Sequence, residues 1–347
     1  MLKIIDLFAG IGGIRLGFEQ AFSKSGVQCV FTSEIDTHAI QTYQTNFGNE
    51  FIYGDITQIN ECDVPEHDIL LAGFPCQPFS QAGLKKGFSD TRGTLFFDIK
   101  RILSYRKPQA FLLENVKQLK GHNKGQTLNT ILHHLRDVGY SVFYDVLRAR
   151  DFGVPQNRER IYIVGFSDSS VKFKFPDPLL VQTRVGDILE TNVSDKYTIS
   201  DRLWDGHQRR KKQNKINGKG FGYSLIDQNS SHTNTISARY YKDGSEILIA
   251  QSDKNPRKLT PREAARLQGF PDNFAIPVSD VQAYKQFGNS VSVPVIRAIA
   301  NEMKKVLKAN IKISENYQNI NSHEQFSRSK KIMPNFFACE AHRNGLL

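Results

Sequence analysis

The chain has 347 residues, of which 39% are hydrophobic and 23% charged, a composition typical of a soluble globular protein of roughly two domains. Lysine and arginine total 46 against 35 aspartate and glutamate residues, and the net charge of +11 favours a polyanionic partner. No segment reaches the ~20 apolar residues of a membrane span, so we expect no membrane association. The four cysteines are scattered and form no CxxC pattern, which predicts a cytoplasmic protein without disulfides or a metal site.

Residues 1–174 alternate apolar strands with amphipathic helices, and this rhythm predicts a doubly wound, mostly parallel α/β sheet. In chain order, the predicted elements are a strand at 2–8, a glycine-rich turn, a helix ending at 22, a strand at 29–35, a helix at 37–47, strands at 51–56 and 68–74, a helix at 94–105, a strand at 110–116, a helix at 128–139, and strands at 141–149 and 160–166. Right-handed crossovers place ligands at the carboxyl ends of such strands.

The alternation of strands and helices stops near residue 175, and a helical pattern returns near residue 257. Between them we predict a small, irregular, mainly β domain with a run of six basic residues from Arg209 to Lys219, which alone would indicate a solvated loop. Thr260, Pro261 and Glu263 form the signature of a capped helix start, and a final helix follows Pro294. The predicted domains are therefore 1–174, 175–256, a return to the first domain over 257–309, and a polar, loosely ordered tail over 310–347.

A glycine-rich turn follows the first predicted strand at Gly10, Gly12 and Gly13. Such glycines let a ligand approach the N-terminus of a helix, but Arg15 replaces the third glycine of the dinucleotide pattern, which argues against NAD or FAD. Glu34 ends the second predicted strand, and an acid about 20 residues after the turn is placed to hold ribose hydroxyls. Together with Asp55 at the end of the third predicted strand, these positions indicate a nucleoside-type ligand.

The most specific segment is GFPCQPFS at 73–80, which follows a buried strand. Two flanking prolines stiffen the loop around Cys76, whose thiolate would be a nucleophile at the rim of the crevice; the alternative is a buried, inert cysteine. Glu114 ends the next strand, where partial burial raises the pKa of a carboxyl group and suits it to proton transfer. Arg158 and Arg160 leave a later strand on one face, which suits them to bind phosphate or a carbonyl oxygen.

In their order and spacing, these motifs resemble those of the bacterial DNA cytosine-5 methyltransferases. The matching segments are DLFAGIGG (6–13), GFPCQPFS (73–80), ENV (114–116), QNRER (156–160), RKLTPREAARLQGFPD (257–272) and QFGNSVSVPV (286–295). In this family the variable target-recognition region lies between the fourth and fifth of these segments. That is the part of the chain where the rhythm of strands and helices stops.

The resemblance implies S-adenosylmethionine as the cofactor and a role for each matching position. Phe8, Glu34 and Asp55 would hold its adenosine, and Asn289 and Ser290 would return to the same pocket. The other cofactor positions that it implies are Gly10, Gly12, Gly13, Ile56 and Ile35, the last of which replaces an aromatic residue of many relatives.

For catalysis, the resemblance implies that Cys76 is the nucleophile, Glu114 contacts cytosine N3 and Arg160 donates to the cytosine carbonyl oxygen. Arg158 and Ser80 would contact phosphate or brace the loop. Cys76 would attack carbon 6 of a cytosine flipped out of double-stranded DNA, and carbon 5 would take the methyl group. The loop at 81–92 would close over the base.

We assign sequence specificity to residues 175–256, and we predict DNA contacts from Arg209, Arg210, Lys211, Lys212, Arg239 and Tyr240. The protein would act as a monomer that protects DNA in a restriction–modification system, with any cognate endonuclease acting separately. The alternatives are a tRNA cytosine-5 methyltransferase built on the same motifs and a non-catalytic DNA-binding module. The intact Cys76, Glu114 and Arg160 argue against the second. A redox thiol protein would need a resolving cysteine at a useful spacing, and the chain has none.

Overall fold

A six-stranded sheet forms the centre of the molecule. In this computed structural model, which describes residues 1–23, 25–74 and 95–307, the strands follow the order β2-β1-β3-β4-β6-β5. Their bounds are Leu2–Leu7 for β1, Val27–Ser33 for β2, Ile69–Gly73 for β3, Ala110–Val116 for β4, Ser141–Arg148 for β5 and Glu159–Phe166 for β6. Strands β2, β1, β3 and β4 run parallel, whereas β6 is antiparallel to both β4 and β5. The predicted fold class is confirmed.

Helices cover the two faces of this sheet. They are α1 at Gly13–Phe22, α2 at Thr37–Phe47, α3 at Leu95–Arg106 and α4 at Gln126–Asp137. Every residue of β4 from Ala110 to Leu113 is completely buried, which is expected of a parallel strand covered on both faces. Because β2 lies on one side of β1 and β3 on the other, the order in which strands are added to the sheet reverses at β1. A ligand crevice is expected there, at the carboxyl ends of the strands.

The strand predicted at 51–56 is wrong. Only Tyr53 pairs, in a single parallel bridge with Ser33 at the edge beside β2. Asp55 ends the extended run, because its carboxylate accepts a hydrogen bond from the amide of Thr57 at 2.9 Å and begins a short 3-10 turn. The acid that suggested the end of a strand is in fact a cap.

Residues 175–256 also differ from the prediction of a mainly β domain. They contain a 16-residue helix, α5, at Asp201–Ile216, and the short strands β7 at Leu225–Ile226, β8 at Leu248–Gln251 and β9 at Lys254–Arg257 complete a small sheet. Ser200 caps α5 by accepting a hydrogen bond from the amide of Leu203 at 3.3 Å. Lysine and arginine are good helix formers, so most of the basic run lies on a helix rather than in a loop.

A second hydrophobic core joins this region to the following segment. Val185, Ile236 and Ile247 from 175–256 pack in one cluster with Leu267 and Phe287. The helices that follow are α6 at Pro261–Leu267, α7 at Asp280–Asn289 and α8 at 293–307. The predicted capping box of α6 is confirmed, because Thr260 and Glu263 each accept a hydrogen bond from the other's main-chain amide.

Residues Met1–Lys304 form one compact unit, so the boundaries at 174/175 and 256/257 stay predictions within it. Within the described ranges, no helix combines the length and the apolar character that crossing a membrane requires. The tail predicted at 310–347 lies outside the described residues.

Candidate active site

An acid at the end of β2 is fixed by the main chain. Glu34 Oε2 accepts a hydrogen bond from the amide of Gly10 at 2.7 Å. Its Oε1 accepts from the amides of Ile35 and Asp36 at 2.8 and 2.9 Å. Charge-assisted hydrogen bonds to main-chain amides are strong, so the backbone holds this carboxylate between the glycine turn and the start of α2.

The glycine turn before α1 needs its glycines for two different reasons. Gly10 and Gly12 have φ angles of 55° and 79°, in the left-handed region that favours glycine. A Cβ at Gly13 would lie 2.7 Å from Ser290 Oγ and 2.9 Å from Val291, so a glycine is required for this close approach. A Cβ at Gly10 would meet nothing within 4 Å, because this part of the turn borders open space.

That open space is a cleft of about 190 Å³ at the carboxyl ends of β1 and β3. Its wall includes the predicted cofactor residues Phe8, Gly10, Gly13, Glu34, Asn289 and Ser290. Glu114 lines the same cleft. Glu34 and the open edge of the glycine turn fit the ribose of an adenosine-containing methyl donor. Glu114 fits a proton-transfer group beside that donor.

Glu114 is the buried carboxyl group of this cleft, and it faces two arginines. Arg160 Nε lies 3.1 Å from Glu114 Oε1, with both side chains largely buried. Burial raises the pKa of Glu114, while the positive charges of Arg160 and then Arg158 oppose that rise. A carboxyl group in this balance holds a proton more readily than a surface glutamate and can donate it to a ring nitrogen.

The neighbouring asparagine anchors the chain on the other side of Glu114. Asn115 Nδ2 donates to the carbonyl of Phe74 at 2.9 Å, and a Cβ at Gly73 would lie 3.7 Å from Glu114 Oε2. The segment that begins the GFPCQPFS motif therefore passes directly beside the carboxyl group. Cys76, Ser80 and the loop at 81–92 lie outside the described residues.

The prediction that Arg158 contacts phosphate is wrong. The residue is only 2% exposed, and its guanidinium donates to the carbonyls of Ile236, Gly288 and Ser290. Burial lowers the pKa of Arg158 to about 9, and the like charge of Arg160 adds to this, whereas Glu114 opposes it. Arg158 instead braces these three main-chain positions, and most of the loop that it was predicted to brace lies outside the described residues.

Four predicted cofactor positions do not line the cleft: Gly12, Ile35, Asp55 and Ile56. Ile35 is 72% exposed. Ile56 is 2% exposed and packs in the central core, which leaves only its main chain available. The carboxylate of Asp55 accepts hydrogen bonds from the amide and the hydroxyl of Thr57.

The predicted DNA-contacting residues on α5 form two classes. Arg210 pairs with Asp243 at 3.1 Å, and the Lys211 ammonium lies 4.2 Å from the centroid of the Tyr223 ring, so both stabilise the region itself. Arg209 and Lys212 are exposed, and neither has an ion pair or a hydrogen bond to its side chain within the part of the chain that the structure describes. The second pair is therefore the one without a competing contact inside the described part of the chain, and it stays the predicted phosphate-binding pair.

The prediction of a DNA contact by Tyr240 is also wrong. Its side chain is completely buried, and its hydroxyl donates to the carbonyl of Ile247 at 2.7 Å and accepts from the amide of Leu259 at 2.8 Å. A ring saturated by these contacts cannot reach DNA. The neighbouring Arg239 is exposed and stays a predicted contact.

Sequence reasoning missed the wall that α7 contributes to the cleft. Gln282, Lys285 and Gln286 line it together with Asn289, at a spacing that places them on one helix face. Gln286 also connects α7 to α2, because its Oε1 accepts from the Thr42 hydroxyl and its Nε2 donates to the carbonyl of His38. The spacing of these residues was available in the sequence, but nothing local indicated which face met the cleft.

A buried polar group lies behind the glycine turn. Asp6 is completely buried, and this burial raises its pKa to about 8 against the opposing charge of Arg15. Arg15 itself pairs with Glu19 and with Glu50, each at 2.7 Å. The arginine that breaks the dinucleotide pattern therefore ties α1 to the end of α2.

Comparison with known proteins identifies the family of the chain. A model of the family described as C-5 cytosine-specific DNA methylase matches residues 2–305. Type II methyltransferase M.NlaX of Neisseria lactamica is 71% identical over 309 residues, which cover 89% of this chain and 98% of that protein. M.SsoII of Shigella sonnei is 64% identical over 305 residues, 87% of this chain and 79% of that protein. The Entamoeba histolytica methyltransferase EhMeth has the same fold, with a TM-score of 0.74 at 22% identity over 89% of this chain and 98% of that one.

The sheet, the glycine turn and the cleft define an α/β methyltransferase that uses S-adenosylmethionine. The chain belongs to the C-5 cytosine-specific DNA methylase family. It is a DNA cytosine-5-methyltransferase of the Type II restriction–modification kind. The resemblance deduced from its motifs is confirmed.

Proposed function

We propose that this enzyme methylates carbon 5 of one cytosine within a specific double-stranded DNA sequence, through a flipped-out base and a covalent bond to Cys76. The observation that carries the proposal is the position of Glu114. Its buried carboxyl group, with a raised pKa, lies in the same cleft as the cofactor acid Glu34 and 3.1 Å from Arg160.

The chemistry assigns each residue a step. Carbon 5 of cytosine is a weak nucleophile, and the thiolate of Cys76 activates it by forming a bond to carbon 6. Glu114 donates a proton to N3, and Arg160 donates a hydrogen bond to the carbonyl oxygen, so the electron pair from the ring accumulates at carbon 5. The bound cofactor supplies an electrophilic methyl group there. A water molecule then takes the carbon 5 proton, the electron pair left behind restores the double bond between carbons 5 and 6 and expels the Cys76 thiolate, and the N3 proton returns to Glu114.

A cytosine stacked in a duplex exposes neither face of carbon 6, so the base must leave the helix. We assign target recognition to residues 175–256, where Arg209, Lys212 and Arg239 are exposed and basic. We assign the ribose hydroxyls of the cofactor to Glu34 and the adjoining wall to Phe8, Asn289 and Ser290. The enzyme would act as a monomer in the cytoplasm, and any cognate endonuclease would act separately.

Trapping the covalent step tests the proposal. A duplex with 5-fluorocytosine at the target position accepts the methyl group but has no carbon 5 proton to lose, so the enzyme stays attached. We expect an adduct that survives denaturant and requires S-adenosylmethionine. Cys76→Ala should abolish both the adduct and methylation while DNA binding persists.

Mapping the product tests the substrate. Bisulfite sequencing of DNA from a host that expresses the chain should show one methylated cytosine in a recurring sequence. A parallel incubation with tRNA separates the two enzyme classes that the motifs allowed. Methylation of tRNA alone would contradict the assignment of double-stranded DNA as the substrate.

A further inference from the structure

One buried arginine connects the cofactor wall to the target-recognition region. Arg158 Nη1 donates to the carbonyl of Ile236 at 3.3 Å. Its Nη2 donates to the carbonyls of Gly288 and Ser290, at 3.3 and 2.5 Å. Ile236 belongs to the region 175–256, whereas Ser290 lines the cofactor cleft, so one guanidinium holds both segments.

The two segments also touch directly beneath this guanidinium. A Cβ at Gly288 would lie 2.3 Å from main-chain atoms of Ser237, so the two backbones pack against each other without intervening side chains. The amide of Ile236 donates to Gln156 Oε1 at 3.0 Å, which fixes the other side of that residue. The hydroxyl of Thr235 donates to the carbonyl of Asn157 at 2.8 Å. The QNRER motif therefore holds the first half of the segment 233–239 through Thr233, Thr235 and Ile236.

We propose that Arg158 is a positioning residue that couples the cofactor cleft to the DNA-facing segment 233–239, so that cofactor and DNA each strengthen the binding of the other. The inference rests on the proposed function for the DNA-facing side. Cofactor bound against Ser290 orders the carbonyls that orient the guanidinium, and the guanidinium in turn orders the carbonyl of Ile236. The two nitrogens that contact the two segments belong to one rigid plane, which a lysine ammonium cannot reproduce.

Coupling between two binding sites is reciprocal, and this gives a direct measurement. Calorimetry would measure the Kd of S-adenosylhomocysteine with and without a duplex that carries the site mapped by bisulfite sequencing. Fluorescence anisotropy would measure the Kd of the duplex with and without S-adenosylhomocysteine. For the unmodified enzyme we expect the two ratios to agree and to reach at least about fivefold, within the usual range of such couplings.

Two variants separate the planar fork from the charge. Arg158→Met removes both, and Arg158→Lys keeps the charge beside Glu114 but cannot reach both segments in one plane. The coupling ratio is the Kd of one ligand without the other ligand divided by its Kd with it. We expect this ratio to fall below about twofold in both variants, because the planar guanidinium supplies the coupling free energy. If Arg158→Met does not fold, the ratio in Arg158→Lys decides. A ratio equal to that of the unmodified enzyme in either variant overturns the proposal.

Arg262 offers a matched control in the same compact unit. It also donates to two main-chain carbonyls, those of Phe274 at 2.8 Å and Pro271 at 3.4 Å, but neither belongs to the segments 233–239 or 288–290. Arg262→Met should lower Tm while keeping the full coupling ratio, because a merely structural loss changes the folded fraction and not the ratio. Loss of coupling in this control would also overturn the proposal. Failure of the unmodified enzyme to bind duplex DNA would instead contradict the proposed function.

Discussion

The cofactor cleft and the α5 surface are built in opposite ways. In the cleft, Glu34 accepts three main-chain hydrogen bonds and Glu114 is buried against Arg160, so each charge has one position. On α5, Arg209 and Lys212 extend into solvent. A reaction needs its groups held at fixed distances, whereas attraction to a polyanion needs only local charge density. Substitutions should therefore have large, specific effects in the cleft and small, additive effects on α5.

The largest effect is expected at Glu114. Glu114→Gln preserves the shape but cannot supply the proton to N3, so kcat should fall by about 10²- to 10⁴-fold while DNA binding is retained. Methyl transfer from labelled cofactor measures this loss. Glu159→Gln changes the more exposed acid that precedes Arg160 in the sequence and pairs with Lys117, and it should keep near-normal turnover. Similar losses in the two variants would contradict the distinction between them.

A smaller loss is expected from Glu34→Ala, which removes the charged group proposed to accept hydrogen bonds from the cofactor. It should weaken the binding of S-adenosylhomocysteine by about 10- to 150-fold, which is equivalent to about 1.5–3 kcal/mol. Calorimetry without DNA isolates this effect. Asp55→Ala provides the comparison, because its carboxylate is engaged by Thr57 and does not line the cleft. Equal losses would restore Asp55 to the cofactor site and weaken the assignment of Glu34.

The buried carboxyl group behind the turn predicts a pH dependence of stability. Asp6 keeps its proton in the folded state up to about pH 8, whereas the unfolded chain releases it near the ordinary aspartate pKa. The folded state therefore binds one more proton between these values, and the free energy of unfolding should fall as pH rises, by up to about 1.4 kcal/mol per pH unit. Asp6→Asn should flatten this slope in urea titrations from pH 5 to 7. An unchanged slope would mean that Asp6 is already ionised in the folded state.

The smallest effect is expected on α5, where paired substitutions sharpen the comparison. Arg209→Gln with Lys212→Gln should reduce the salt dependence of DNA binding by roughly 0.9 per lost phosphate contact and leave Tm unchanged. Arg210→Gln with Lys211→Gln removes the pair with Asp243 and the contact with Tyr223, so Tm should fall by the equivalent of about 1 kcal/mol. Equal changes in salt dependence and Tm for the two pairs would contradict the distinction between a DNA-binding pair and a stabilising pair on α5.

The same contrast explains what the sequence could predict. The strand ends at Glu34 and Glu114 and the capping box at Thr260 follow from local patterns, and each lies where it was expected. Helix α5 was missed because it buries only His207, so it carries no apolar stripe to indicate a helix. The partners of Arg158 lie 78, 130 and 132 residues away, and no local pattern reveals a contact of that range. Tyr240 was misassigned for a different reason: its partners Ile247 and Leu259 are near in the sequence, but the polar and basic residues around it suggested an exposed ring.

The close approach at Gly13 also has a consequence for how the enzyme is made. The turn that begins α1 leaves the ribosome long before its neighbours Ser290 and Val291 are translated. At roughly 5–20 residues per second, the intervening chain takes about 15 to 55 s to synthesise. Until then the nascent protein has only one side of its cofactor cleft. Each new molecule therefore passes through a period in which its sheet can fold but the wall of the cleft that Ser290 and Val291 form is still missing.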